Sequence, residues 1–286
     1  MERLLVVAAL TFIIHLINTL IYSVRVSGVR TGRLATAISL FNVIFLVSST
    51  ANMIQGPLLA TMVEGAIHRG GLDGSVERLT AFPTAYLNQI GILAGEFRMV
   101  ILSATVGTVV GVLLMPAFVK FFTGLILAFE KVGSVPGLLL AVIFSPRGIL
   151  RYAADKDPGP PGKKYGPPVV RGLPVMFLVM NVLVTGIFTT GVISALYAGA
   201  LYPGYRASAT MLASVVNGVA QILFATTVDP VAASITDQAL EGQRDESEVR
   251  RMALYLAVTR LGGTFLAQAF FIPAAYLIRF VAVLIT

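Results

Sequence analysis

Three groups of residues in this 286-residue sequence could do chemistry on a strongly polar ligand, and all of them sit in or beside apolar runs. Thr11, His15, Asn18, Tyr22 and Arg25 follow at spacings of four, three, four and three, so a helix would carry them on one face. Arg260, Thr264 and Gln268 recur at spacings of four inside a long apolar stretch. Arg25, Arg30 and Arg33 cluster at the end of the first such stretch. A guanidinium offers paired N–H donors to phosphate or carboxylate oxygens, and an imidazole can change charge near neutral pH. Shorter polar sets are Asn42, Ser49 and Asn52; Asn181, Thr185 and Thr189; and Asn217 with Gln221. Together these stripes can line one polar cavity, or they can simply bond helix to helix at about 0.6–2 kcal/mol each.

Arg260 stands apart. A cation about eight residues into an apolar run costs about 2.5–3.5 kcal/mol even on insertion scales, so it needs a counter-charge or water. Two roles are open to it: an ion pair with Glu64, Asp229 or Asp237, or a cation that faces a ligand. His15 is either a proton carrier or a buried, hydrogen-bonded neutral side chain. Arg25, Arg30 and Arg33 either receive a phosphate group or only set topology. With Asn18, Asn52 and Gln221, these arginines and Arg260 form the candidate ligand-binding set. His15, Glu64, Asp229, Asp237, Pro57 and Pro230 form the candidate coupling or gating set.

Such residues need helices that cross a bilayer. The chain is 56% hydrophobic and 12% charged, against about 45–50% and about 25% in soluble domains. Mean hydropathy is +0.85. That balance excludes a soluble enzyme and predicts an all-α polytopic membrane protein. Runs able to cross a core of about 30 Å fall near Leu4–Val24, Leu34–Met62, Met99–Leu127, Pro174–Leu201, Ala207–Ile235 and Met252–Leu284. Pro57, Pro116, Pro230 and Pro273 are natural places for the longer ones to kink. The first run has no Ala-x-Ala-like exit and holds His15 and Asn18, so it reads as a mature helix rather than a signal peptide.

Lysine and arginine favour cytoplasmic loops. Placing the loops that hold Arg25–Arg33, Lys120–Arg171 and Arg244–Arg251 inside puts fourteen basic residues in or beside the cytoplasm and six on the other face. Both termini then lie outside. The segment Asp155–Pro168, rich in proline and glycine, reads as an unpacked cytoplasmic linker.

The chain also matches itself at an offset of 173. Arg33-x23-Pro57-x6-Glu64 lies over Arg206-x23-Pro230-x6-Asp237, and at a different offset, 153, Arg98-Met99 lies over Arg251-Met252 before the third run of each half. Three spans per half is an odd number, so the halves would enter the membrane from opposite sides as an inverted repeat, a plan common in transporters. The expected organisation is a first three-helix repeat over 1–128, a linker over 129–171 and a second repeat over 172–286. Gln55-Gly56-Pro57 and Asp229-Pro230 would be matching helix breaks. Gly107-x3-Gly111 reads as a close-packing motif.

The sequence has no cysteine, which excludes thiolate metal sites and haem attachment through cysteine, and its two histidines are far apart, so a histidine-rich metal site is not expected. Neither a phosphate-binding glycine loop with its lysine nor a zinc-protease or serine-hydrolase motif is present. No cofactor is expected. The charge of +7 speaks for anionic headgroups and topology rather than nucleic acid.

The run HLINTLIYSVRVSGVRTGRLATAISLFN, followed by SSTANMIQGP, resembles the Amj family of bacterial lipid II flippases, and the likeness extends over the whole chain. The resemblance implies export of the undecaprenyl-diphosphate-linked peptidoglycan precursor across the cytoplasmic membrane, with lipid II and membrane lipids as partners. It carries no set of functional residues with it. The enzyme alternative is a membrane-embedded undecaprenyl-diphosphate phosphatase, faintly echoed by Ser48-Ser49-Thr50 and Glu64-Gly65. The Glu-Gly-x-x-Glu and Ser-Arg-Ser clusters such an enzyme uses are not in the sequence.

Overall fold

A computed structural model describes residues 2–71, 83–145, 148 and 172–285, and every regular element among them is helical. The helices are α1 (Glu2–Thr31), α2 (Leu34–Arg69), α3 (Thr84–Val132), α4 (Val135–Phe144), α5 (Val175–Leu201), α6 (Arg206–Leu223), α7 (Asp229–Leu240) and α8 (Glu246–Leu284). A 3₁₀ turn, Pro203–Tyr205, leads into α6, and a π-helical turn, Phe224–Val228, joins α6 to α7. Counting Pro203–Leu240 as one segment, six helical segments among the described residues are long and apolar enough to cross a membrane. Large apolar side chains such as Leu46, Met53, Leu113, Met211 and Phe280 point outward, as a lipid-facing surface requires.

The two sets of three spans pack alike. In the first, α1 lies along α3 and α2 leans on α1; in the second, α5 lies along α8 and α6 leans on α5. Small residues permit the long seams, because side chains that would hold the backbones apart are missing. A Cβ at Gly111 would come within 2.7 Å of Thr19, and one at Gly263 within 2.6 Å of the Val182 carbonyl. Gly107 abuts the backbone of Phe12, so the Gly107-x3-Gly111 motif does pack closely.

Three apolar clusters hold the bundle. One joins the halves at the amino-terminal end of α1 and contains Leu4, Val7, Val63, Phe97, Tyr197 and Phe271. A second joins them at the opposite, basic end and contains Tyr22, Val26, Val119, Phe177, Val249 and Leu256. The third packs α1, α2, α3 and α4 around Phe41 and Phe122.

Several expected boundaries move. The helix of the third span begins at Thr84 rather than Met99 and runs 49 residues, about 74 Å. Pro83 supplies its N-cap, and Gln89, Glu96 and Arg98 continue the helix beyond what an apolar window registers. The break expected at Pro57 is absent: α2 runs unbroken from Leu34 to Arg69 with the proline inside it. In the second half the helix is not interrupted either, but it carries a π-helical turn just before Asp229-Pro230. There the Asp229 N–H reaches back five residues to the Phe224 carbonyl, which absorbs the proline that follows. At the start of the expected linker, α3 continues to Val132, Gly133 ends it in the left-handed region (φ 66°), and α4 follows. Asp155–Pro168 and the basic residues Arg78, Arg147, Arg151, Lys156, Lys163, Lys164 and Arg171 lie outside the described residues.

Candidate functional site: a polar layer between two apolar clusters

Between the two clusters that join the halves, every long helix changes character at the same level. On α1 the interval from Val7 to Leu20 holds Thr11, His15 and Asn18; on α8 the interval from Ala257 to Ala267 holds Thr259, Arg260 and Thr264. Between their own apolar segments α3 contributes Thr105 and Thr108, α5 contributes Asn181, Thr185 and Thr189, and α2 contributes Ser48 and Gln55. Asn217 stands at the equivalent place on α6. The bundle therefore has an apolar end, a polar middle and a second apolar end.

Most of this layer is satisfied internally. The Gln55 amide donates to Thr11 Oγ1 (2.6 Å) and Ser48 Oγ donates to Asn18 Oδ1 (3.3 Å), tying α2 to α1. The Tyr22 hydroxyl donates to Asn181 Oδ1 (3.2 Å), while the Asn181 amide donates to the Leu256 carbonyl and to Thr259 Oγ1 (both 2.8 Å). Those bonds link α1, α5 and α8. Thr108, Thr189 and Thr264 return their hydroxyls to carbonyls of their own helices.

The exceptions mark the site. His15 Nδ1, Arg260 Nε and Asn217 Oδ1 are enclosed and have no hydrogen-bond partner among the described residues. Arg260 makes no ion pair among the described residues, so of its two roles the pairing with Glu64, Asp229 or Asp237 is not formed: Glu64 binds Arg206 and Asp229 binds Arg25. His15 and Arg260 come to the same level of the bundle. Helix geometry explains why. Arg30 at the end of α1 pairs with Glu246 at the start of α8, and the helices run in opposite directions. Fifteen residues back along α1 lies His15, and fourteen forward along α8 lies Arg260, each about 21–23 Å from the pair. A histidine nitrogen and a guanidinium nitrogen without acceptors, in a layer between apolar plugs, form a place where an oxyanion would satisfy what the protein leaves open.

The remaining expected site residues are distributed differently. Asn42, Ser49 and Asn52 are exposed; the inward polar residues of α2 are Ser48 and Gln55. One residue turns a helix by about 100°, and the face toward α1 is set by Leu40, Phe41, Ser48, Ala51, Gln55 and Leu59. Gln221 is likewise exposed, while Asn217 lies against Gly191 of α5. Pro57 and Pro230 are both on the outside.

The arginines of the basic end are not bare. Arg25 pairs with Asp229 at 2.6 Å, Arg30 with Glu246 at 2.6 Å and Arg33 with Glu130. The middle pair is buried, with side-chain exposures of 8% and 3%, and Arg250 also donates to Glu246. Arg33 and Glu130 are well exposed. Glu130 and Glu246, which sequence reading passed over, neutralise this end; the first-turn position of Glu246 in α8 was the available signal. At the amino-terminal end Arg206 pairs with Glu64 at 2.7 Å, and a cleft of about 500 Å³ opens beside Glu2, Arg3, Thr61, Arg69 and Glu96.

Comparison with known proteins shows the family. The family model described as Amj, alternate to MurJ, matches residues 10–282. The chain is 33% identical to the lipid II flippase Amj of Bacillus subtilis (strain 168) over 284 residues, covering 96% of this chain and 95% of that protein. No solved structure matches significantly. With six spans, a polar middle layer and a family match along nearly its whole length, this chain belongs to the Amj family, the alternates to MurJ.

Proposed function

We propose that this protein is a lipid II flippase: it moves the undecaprenyl-diphosphate-linked peptidoglycan precursor from the inner to the outer leaflet of the cytoplasmic membrane. The observation that carries this reading is the pair of unsatisfied groups, His15 Nδ1 and Arg260 Nε, in a polar layer at mid-depth. A diphosphate needs cationic donors along its path while its polyprenyl tail remains in lipid, and a layer with open donors at half-height offers a station for the head.

In this reading the basic end faces the cytoplasm and both termini face outward, as the distribution of lysine and arginine favours. The diphosphate first meets Arg33, whose guanidinium is exposed and paired with an exposed carboxylate. Arg25, partly exposed beside Asp229, is a second contact, whereas the buried Arg30–Glu246 pair fastens the halves. The head then passes to Arg260 and His15, with Asn18 and Asn217 as contacts for sugar or peptide. Asn52 and Gln221, being exposed, serve only where the path opens sideways to lipid. No nucleotide is needed, since moving an anion outward down an inside-negative potential yields about 2.3 kcal/mol per charge per 100 mV.

The test uses purified protein in liposomes with lipid II in one leaflet, an impermeant reagent that reports its arrival in the other, and a labelled ordinary phospholipid as control. Lipid II crosses and the phospholipid does not. Equal movement of both lipids, or of neither, overturns the reading.

A further inference from the structure

The exposed ion pairs at the two ends do not match, although the sequence repeat says that they should. The offset of 173 carries α1, Glu2–Thr31, onto 175–204, where α5 spans Val175–Leu201. It carries α2, Leu34–Arg69, onto 207–242, where α6 and α7 together span 206–240. The third helices correspond as well, because α3 packs along α1 as α8 packs along α5. Exchanging the halves therefore turns Arg206 into Arg33 and Glu64 into Asp237.

Arg206 and Glu64 are paired at 2.7 Å, and the pair ties the end of α2 to the start of α6 at the amino-terminal end of the bundle. Its counterpart at the basic end would be Arg33 with Asp237, tying the start of α2 to the end of α7. That pair is not formed: Arg33 is turned to Glu130 on α3, and Asp237 is exposed and makes no ion pair among the described residues. Both partners of Arg206–Glu64 and of Arg33–Glu130 are more than a third exposed, so neither bridge is costly to break. Exchanging one exposed pair for another leaves the two arrangements near balance, which a protein that must visit both requires.

We infer that Glu64–Arg206 and Asp237–Arg33 are two latches that close alternately. In the arrangement seen, the amino-terminal latch is shut and the basic-end latch is open. In the other, Arg33 leaves Glu130 for Asp237 while Arg206 releases Glu64. The buried Arg30–Glu246 pair and the α1–α3 and α5–α8 seams stay fixed, so the moving parts are α2 and the α6–α7 pair. The purpose of the exchange rests on the transport reading; the exchange itself does not.

Because the chain contains no cysteine, paired cysteines can be placed in the full-length protein without background. Glu64→Cys with Arg206→Cys, and separately Arg33→Cys with Asp237→Cys, are treated with a short thiol cross-linker in membranes and in lipid II liposomes. Both pairs cross-link within the monomer, each cross-link stops lipid II movement, and cleaving the linker restores it. Arg33→Asp and Asp237→Arg each slow transport several-fold, and the double exchange, which rebuilds the latch but not the Arg33 contact with the diphosphate, is faster than Arg33→Asp alone. Failure of the Arg33/Asp237 pair to cross-link in folded protein whose Glu64/Arg206 pair does so overturns the inference, as does independence of the two charge reversals. If both pairs cross-link in a protein that moves no lipid II, the latches stand and the substrate reading falls.

Discussion

Arg260 and Glu246 show how differently two charged residues can sit in one bundle. Among the described residues Arg260 has an unsatisfied nitrogen and no ion pair, so its charge is held open; Glu246 is 3% exposed and accepts from both Arg30 and Arg250, so its charge is spent on structure. Removing one partner of a buried pair strands the other, at a cost of about 3–5 kcal/mol. Glu246→Ala is therefore expected to lower stability by about that amount in thermal unfolding followed by size-exclusion chromatography, while Arg250→Ala, at a 61% exposed side chain, changes it by less than about 1 kcal/mol. Equal effects would mean that the Arg30–Glu246 pair does not fasten the halves. At this scale the sequence was informative about residue types and poor about partners. The stripe Thr11–His15–Asn18–Tyr22 is legible because helical spacing is local, and four of its members are bonded or enclosed in the layer. Arg25–Asp229 and Arg30–Glu246 join residues 204 and 216 positions apart, and no local pattern encodes such a meeting.

Helices are where periodicity and packing part company. The apolar runs locate all six spans, but α2 is apolar on most faces, so its sequence leaves its rotation undetermined; contact with α1 turns Ser48 and Gln55 inward and Asn52 outward. Proline was similarly ambiguous. It forfeits a hydrogen bond in either helix, yet α2 absorbs Pro57 without a break, whereas the chain before Pro230 forms a π turn. Pro57→Ala should thus leave the lipid II flipping rate unchanged, while Pro230→Ala, which lets α6 and α7 merge into one regular helix, should lower it; the reverse ranking would place the hinge in α2. The seams make a second demand. Leucine at Gly111 or Gly263 has nowhere to go, being blocked by Thr19 or by the Val182 carbonyl, while Gly91 faces open space. Gly111→Leu and Gly263→Leu are expected to abolish recovery of monodisperse protein, and Gly91→Leu to preserve it.

For the whole molecule, the decisive feature is the order of layers: apolar, polar, apolar. Composition and hydropathy foretold a membrane protein of about six helices, and the resemblance foretold its family, but the layer itself emerges only when six separate polar stripes come to one depth. Buried hydroxyls at Ser23 and Thr123 also lack partners among the described residues, but at mid-height the open groups are a guanidinium nitrogen, an imidazole nitrogen and an amide oxygen. That arrangement suits an anionic head that must pause between two closed ends, driven by an inside-negative potential. The most direct test compares wild type with Arg260→Ala in lipid II liposomes at matched protein density, with and without an imposed potential. Among the described residues Arg260 makes no ion pair whose loss would unfold the protein, so the variant should purify like wild type. The account predicts selective, potential-accelerated lipid II movement by wild type and its loss in Arg260→Ala. Equal lipid II movement by a folded Arg260→Ala protein would contradict it.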